Sequence, residues 1–172
     1  MSGITNVAFI GGGGWARHHM RLILQQPQTS RIIAICEPEE AVYAQAAAEF
    51  APFGVLPPPH FTDLDALLNG ATDRIDAVFI VTPHARHHEQ VKRCLEAGLD
   101  VIVEKPMVIT AQEAASLIET RDRTERLLVV AFQGSLSPQI REAVRMIHAG
   151  SLGQVLNVSG VVWQDWKRHA GS

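Results

Sequence analysis

We infer the fold of this chain first from the stretch Val7-Ala8-Phe9-Ile10-Gly11-Gly12-Gly13-Gly14-Trp15-Ala16. It joins an apolar run to a glycine-rich loop and then to the start of a helical pattern. Gly11, Gly13 and Ala16 give the spacing Gly-x-Gly-x-x-Ala, whose small residues allow a tight turn, close approach of a diphosphate and tight helix packing. The helix N-terminus then attracts the anion without a basic side chain. We predict dinucleotide contacts from Gly11, Gly13, Gly14, Trp15 and Ala16.

Around this stretch, short β-branched runs alternate with longer amphipathic segments. This alternation is typical of repeated βα units with a parallel sheet that is covered on both faces. The predicted strands are Asn6–Ile10, Arg31–Cys36, Ala77–Val81, Asp100–Val103 and Leu127–Ala131. The predicted helices are Trp15–Gln26, Glu39–Phe50, Asp63–Leu68, Ala85–Ala97 and Ala111–Thr124. The fold class is therefore α/β, a Rossmann-type doubly wound parallel sheet.

Helix caps support these boundaries. Thr62 is predicted to cap the helix that follows it, and Thr110 with Glu113 forms a capping box. Ser137 before Pro138 predicts a further helix that runs to His148.

Length and composition limit the class of protein. The 172 residues, 47% of them hydrophobic, suffice for one packed domain or slightly more. A formal net charge of −3, without a basic stripe, argues against a nucleic-acid partner. Cys36 and Cys94 lack a disulfide or metal-ligand spacing. Because we find no basic leader and no run of roughly 20 apolar residues, we expect a cytoplasmic protein without membrane contact.

Glu37 follows the second predicted strand, where a carboxylate can accept hydrogen bonds from a ribose diol. The 2'-phosphate of NADP would meet like charge there, and Pro38-Glu39-Glu40 supplies no arginine. The cofactor predicted from the residues is NAD rather than NADP. The alternative is a purely structural glycine turn with a solvated Glu37.

A second set of candidate residues follows the strand Ala77–Val81. Thr82, Pro83 and His87 are either cofactor or substrate contacts, or the histidine is simply solvated at a helix start. His84, His87 and His88 also invite a metal interpretation. Adjacent helical residues point about 100° apart, and only Glu89 is near as a further ligand, so we predict no metal site.

Glu104-Lys105-Pro106 ends the strand Asp100–Val103. A lysine at the carboxyl end of a buried parallel strand lies where open α/β sheets bind their ligands. It is therefore placed for chemistry. The alternative is a surface turn with an ion-paired lysine.

In combination, these motifs resemble the Gfo/Idh/MocA family of nicotinamide-dependent oxidoreductases over almost the whole chain. The motifs are Gly11-x-Gly13-x-x-Ala16 with His19, Thr82-Pro83 with His87, and Gly98 leading to Glu104-Lys105-Pro106. The resemblance implies an N-terminal Rossmann domain that binds NAD(P) and a C-terminal α/β domain whose sheet covers the substrate. It further implies hydride transfer with a sugar, inositol or related polyol, and a homo-oligomer.

By the same resemblance, Lys105 is the catalytic lysine near the nicotinamide. It would orient the reacting oxygen and ease proton movement during hydride transfer. Glu104 would position the strand end on the ribose side of the cofactor, and Pro106 would fix the turn through a cis Lys105–Pro106 bond. Glu104 and Lys105 thus join the predicted cofactor contacts.

Two departures from the family concern the end of the chain. Phe132-Gln133-Gly134-Ser135 stands where many members carry an arginine-rich segment, and the glycine run with its Asp and His is not reached. We interpret the Asp165-x-x-x-His169 spacing as coincidence.

The predicted domains are residues 1–132, which bind NAD(P), and residues 133–172, the incomplete beginning of a substrate and oligomerisation domain. In the second, Val155–Val162 predicts a strand that cannot bury its own face. Two interpretations follow. The chain is either the cofactor half of an oxidoreductase, truncated and inactive alone, or a non-catalytic NAD-binding module that uses this exposed strand as a protein interface.

Overall fold

The computed structural model of the chain describes residues 3–161. The strands are β1 (Thr5–Ile10), β2 (Ser30–Cys36), β3 (His60–Phe61), β4 (Ala77–Ile80), β5 (Asp100–Glu104) and β6 (Leu128–Ala131). The helices are α1 (Gly14–Leu24), α2 (Glu40–Ala48), α3 (Leu64–Ala71), α4 (His87–Glu96), α5 (Ala111–Thr124) and α6 (Pro138–His148). Short 3-10 turns lie at Ala51–Phe53, Thr72–Arg74, His84–Arg86 and Gln133–Leu136.

All strands pair in parallel, in the order β3-β2-β1-β4-β5-β6. The chain builds the sheet outward from β1 and then returns to its other side at β4. The strand order therefore reverses between β1 and β4, which is where sheets of this kind form a ligand crevice. The predicted Rossmann fold is confirmed.

Helices cover both faces of this sheet. Val7 and Phe9 of β1 enter a core that includes residues of α1 and α2, whereas Ala8 and Ile10 enter a core shared with α3, α4 and α5. Successive side chains of a strand point to opposite faces, so a strand between two cores must be apolar throughout. This explains why the strand sequences show no polar alternation.

The chain divides into two compact units between Phe132 and Gln133. The first contains the whole sheet. Of the second, the described residues contain α6, which buries none of its residues. Ile140, Val144 and Ile147 of α6 are exposed. The assignment of the two units to cofactor and substrate stays a prediction.

Helix caps agree with the sequence in two of three cases. Thr110 and Glu113 form the predicted capping box at α5, and the Ser137 hydroxyl accepts a hydrogen bond from the Ile140 N–H at α6. At α3 the prediction of Thr62 is wrong. The cap is Asp63, whose carboxylate accepts from the Ala66 N–H at 2.7 Å, because the helix begins one residue later than predicted.

Two strand predictions also differ from the structure. The two-residue strand β3 was not predicted, because it follows Pro57-Pro58-Pro59 directly and two residues are too few to show a β pattern. The predicted strand Val155–Val162 is wrong for its described residues: 155–161 contain no strand. A strand needs a neighbour to satisfy its backbone groups, and none is paired with this segment in the described structure. Val162 and the candidates Asp165 and His169 lie outside the described residues.

Candidate cofactor and catalytic site

A cleft of about 570 Å³ lies at the carboxyl ends of β1, β2 and β4, where the strand order reverses. Its walls come from the glycine loop, the turn after β2, the turn after β4, the segment after β3 and the start of α4. The lining includes Gly11, Gly13, Glu37, Thr62, Asp63, Thr82, Pro83, Arg86 and Gln90.

Gly11 shapes the floor of the cleft. Its φ is +102°, and a Cβ there would lie 2.3 Å from the Val81 carbonyl oxygen, so no other residue fits without moving backbone. Its N–H donates to the Cys36 carbonyl at 2.8 Å. The loop is thus held between β2 and the turn after β4.

Gly13 is different because its side-chain position is open. It is the N-cap of α1, and a Cβ there would meet nothing within 4 Å. The N–H groups of the first helical turn have no partner within a helix, so this open position gives a diphosphate access to them. Ala16, by contrast, is fully buried in the core, which gives it the packing role of a small residue rather than a cleft-facing one.

Glu37 is 8% exposed, so the alternative of a solvated Glu37 is wrong. Its Oε2 accepts from the Gly12 N–H at 2.7 Å and its Oε1 from the Glu39 N–H at 3.0 Å. Each carboxylate oxygen has a second acceptor position. The carboxylate is therefore fixed at the cleft wall and still able to accept from ribose hydroxyls.

The charges around the cleft are mostly negative near Glu37. Asp63 and Glu37 contribute to raising the pKa of the Cys36 thiol to about 12, although burial is the largest cause. Arg93 is already paired with Asp65 and lies 3.6 Å from Glu89. No arginine or lysine pairs with Glu37 in the described part of the chain.

The turn after β4 lines the cleft and lies close to the turn after β5. The Thr82 hydroxyl donates to Gln90 Oε1 at 2.6 Å. His87 is completely buried, and its ring nitrogens lie 2.9 Å from the Thr82 carbonyl oxygen and 3.0 Å from that of Pro106. The interpretation of a solvated His87 is wrong, and its ring has no exposed edge for a ligand. Its place is between two turns, where it supports Thr82 and Pro106.

His88 lies apart from this contact, with Nε2 3.2 Å from Ser116 Oγ. Across residues 3–161, no group of three or more His, Cys, Asp or Glu side chains could hold a metal ion. In the same range, no helix has the length and apolar character that crossing a membrane requires.

Glu104 and Lys105 lie at the carboxyl end of β5, outside the residues that line the cleft. Glu104 is buried and accepts hydrogen bonds from Trp15, His19 and the Lys105 N–H. Lys105 itself is exposed, and its ammonium forms no hydrogen bond or ion pair within residues 3–161. The alternative of an ion-paired surface lysine therefore does not hold. The Lys105–Pro106 bond is cis, as predicted.

Sequence reasoning missed several of these contacts. The bonds from Trp15 and His19 to Glu104 join residues 89 and 85 positions apart, so no local pattern could reveal them. Arg86 and Gln90 were missed as cleft residues. Their place in the first turns after Thr82-Pro83 was the available signal.

The fold and cleft define a nucleotide-binding Rossmann protein. The sequence model of GFO_IDH_MocA, described as an oxidoreductase family with an NAD-binding Rossmann fold, matches residues 5–132, and the chain belongs to this family. The family resemblance is thereby confirmed, and the family description agrees with the predicted NAD cofactor.

Relatives agree with this membership, and a solved structure shares the fold. Inositol 2-dehydrogenase of Corynebacterium glutamicum is 28% identical over 162 residues, which are 94% of this chain and 46% of the relative. Levoglucosan dehydrogenase of Pseudarthrobacter phenanthrenivorans is 28% identical over an alignment of 178 positions, which covers 97% of this chain and 43% of the relative. The chain thus spans about half the length of these relatives. The structure of scyllo-inositol dehydrogenase from Lactobacillus casei, with NAD(H) and scyllo-inositol bound, shares the fold at a TM-score of 0.77 and 24% identity, over 88% of this chain and 43% of that one.

Proposed function

We propose that this chain binds NAD in the cleft and is the cofactor half of a dehydrogenase that acts on a sugar, inositol or related polyol. The observation that carries the proposal is the pairing of an open Gly13 with a buried, amide-held Glu37 across one cleft. A small, anion-accepting turn next to a fixed carboxylate suits the diphosphate and the ribose of a dinucleotide.

The residues would divide the cofactor between them. The backbone N–H groups of Gly13, Gly14 and Trp15 would hold the diphosphate, and Glu37 would accept from the adenosine ribose. Thr82 and Pro83 would form the wall beside it. Because no lysine or arginine within residues 3–161 forms an ion pair with Glu37 or Glu39, a 2'-phosphate would meet uncompensated negative charge there, which favours NAD over NADP.

Lys105 would act on the substrate. The cofactor supplies a hydride acceptor when it is bound. The ammonium of Lys105 can donate a hydrogen bond to the reacting oxygen, orient it, and stabilise the negative charge that develops there as the hydroxyl proton passes to water and hydride leaves the carbon that bears this oxygen. Glu104 is held in place to fix the backbone at Lys105. His87 would act indirectly, by supporting the turns of Thr82 and Pro106.

The substrate class rests on the relatives, which are named as inositol and levoglucosan dehydrogenases. Homo-oligomerisation and a cytoplasmic location stay predictions. The alternative, a non-catalytic NAD-binding module that uses the segment Val155–Val162 as a protein interface, stays a prediction.

The test of cofactor binding is calorimetric titration of the chain with NAD and NADP, using two matched glycine variants. We expect tighter binding of NAD. Gly13→Ala should weaken NAD binding by about tenfold or more and lose only about 1 kcal/mol of unfolding free energy at the cap. Gly11→Ala should instead lose about 2–5 kcal/mol, because it combines positive φ with a backbone clash. Binding that Gly13→Ala leaves unchanged would contradict this cofactor site.

Catalysis is tested by absorbance at 340 nm over a panel of sugars and inositols, in a form of the protein that turns over. Lys105→Ala should lower turnover by about 100-fold or more while NAD affinity stays within about twofold. An active Lys105→Ala enzyme would refute the catalytic role and leave cofactor binding intact.

A further inference from the structure

Glu104 is a buried carboxylate whose hydrogen-bonding partners converge from two parts of the chain. It is 6% exposed. Trp15 Nε1 donates to Oε1 at 2.7 Å, His19 Nε2 lies 2.8 Å from the same oxygen, and the Lys105 N–H donates to Oε2 at 3.0 Å. A buried charge is costly unless it is paired and hydrogen-bonded, and α1 supplies two of the three partners.

Trp15 and His19 are suited to act together because they are four residues apart on α1 and share a helix face. Their rings meet edge to face at 5.4 Å. His19 also packs against Phe79 of β4, with ring centroids 4.6 Å apart. The His19 ring is therefore held between a core residue and the Glu104 carboxylate.

The bonds leave one oxygen of Glu104 less occupied than the other. Oε1 receives both side-chain donors, whereas Oε2 receives only the Lys105 N–H. Since a carboxylate oxygen can accept two hydrogen bonds, Oε2 keeps a position for a hydroxyl. Trp15 is 49% exposed, so part of its indole ring is accessible beside Glu104.

We propose that His19 and Trp15 are positioning residues that act through Glu104 on Lys105 at the nicotinamide end of the site. They fix the carboxylate so that Oε2 holds the backbone of Lys105 and can accept from the nicotinamide ribose. This inference rests on the proposed function. If His19 served only to pack against Phe79, a ring without a nitrogen would suffice at this position.

The chain offers a matched control. His18 stacks on Trp15 with ring centroids 4.9 Å apart, but it forms no hydrogen bond to Glu104. Substituting His18 therefore perturbs the same helix turn without touching the carboxylate.

The experiment compares NAD with ADP, which lacks both the nicotinamide and its ribose, by calorimetry on the intact chain. His19→Leu should weaken NAD binding by about tenfold and leave ADP binding unchanged. His19→Gln, which restores an N–H donor, should recover part of that loss, and His18→Leu should change neither affinity. Trp15→Phe removes the indole N–H while keeping an aromatic ring at position 15, and it repeats the test if His19→Leu does not fold.

An equal loss for both ligands, or no loss for either, would overturn the positioning role. Loss of NAD affinity that His19→Gln does not relieve at all would also overturn it. Failure of the unsubstituted chain to bind NAD or ADP would instead reject the proposed function, so the two failures are distinguishable.

Discussion

Glu37 and Glu104 are both buried carboxylates at the carboxyl ends of parallel strands, but they are held in different ways. Glu37, after β2, accepts from two backbone N–H groups, those of Gly12 and Glu39. Glu104, at the end of β5, accepts from the side chains of Trp15 and His19 and from one backbone N–H.

The difference shows how each half of the site depends on the sequence. Backbone N–H groups are present whatever the side chains are, so the hydrogen bonds to Glu37 require only that the loop backbone follows this path. The hydrogen bonds to Glu104 require two particular side chains from a helix far away in sequence. We therefore expect the Glu104 side to be the more sensitive to substitution.

The largest effect should come from removing each carboxylate. Glu104→Leu leaves three donors without a partner and should cost about 2–4 kcal/mol of unfolding free energy. Glu37→Leu leaves two and should cost about 1–3 kcal/mol. Urea unfolding of both variants measures this. A larger cost for Glu37→Leu would reverse the comparison.

Glutamine variants remove the charge of each carboxylate but keep its shape, so cofactor selectivity can distinguish the roles of the two residues. Glu37→Gln takes away the negative charge that would face a 2'-phosphate, so the ratio of NADP to NAD affinity should rise about tenfold. Glu104→Gln is the matched control at the other carboxylate and should leave this ratio unchanged. Calorimetric titration with both cofactors gives the answer, and an equal change in both variants would contradict the assignment of Glu37.

Glu113 extends the comparison to a half-buried carboxylate at a helix cap, which is held by backbone N–H groups. Its pKa is lowered, first by the hydrogen bond from the Thr110 backbone. A lowered pKa in the folded state stabilises the protein above the ordinary pKa of 4.5, and this is lost as pH falls through the folded value. Glu113→Gln should therefore be less stable than the unsubstituted chain at pH 7, by a margin that shrinks below pH 4.5 in urea unfolding. A constant margin would argue against this linkage. At the same cap, Thr110→Ala should cost about 1 kcal/mol.

The smallest effect concerns Cys36, the residue before Glu37, and the rate at which its thiol reacts. Burial, Asp63 and Glu37 raise the pKa of Cys36 to about 12, and burial also raises that of Cys94 to about 12. Both thiols should react with a thiol reagent at pH 8 far more slowly in the folded than in the unfolded chain. Above pH 9 only the unfolded thiols ionise, so stability should fall as pH rises toward 12. In a Cys94→Ala background, Glu37→Gln should speed the labelling of Cys36 only slightly, because burial is the main cause.

Much of the first unit could be predicted because its signals are local. The strands β1, β2, β4, β5 and β6 were predicted from apolar runs, and the capping box at α5 from two residues three apart. The predicted strand is wrong over the described residues 155–161, because an apolar run forms a strand only when another strand pairs with it. The two-residue β3 exists for the converse reason: it pairs with β2 although its own pattern is weak.

Residues close in the chain are enough to specify the Gly-x-Gly-x-x-Ala turn, the acidic end of β2 and the lysine at the end of β5. Packing between distant elements buries His87 between the Thr82 and Pro106 carbonyls and brings Trp15 and His19 to Glu104. The physical reason is that a parallel sheet brings the ends of distant strands and helices to one edge. Which side chains meet there depends on the strand order and on packing across the core, and no local pattern records either.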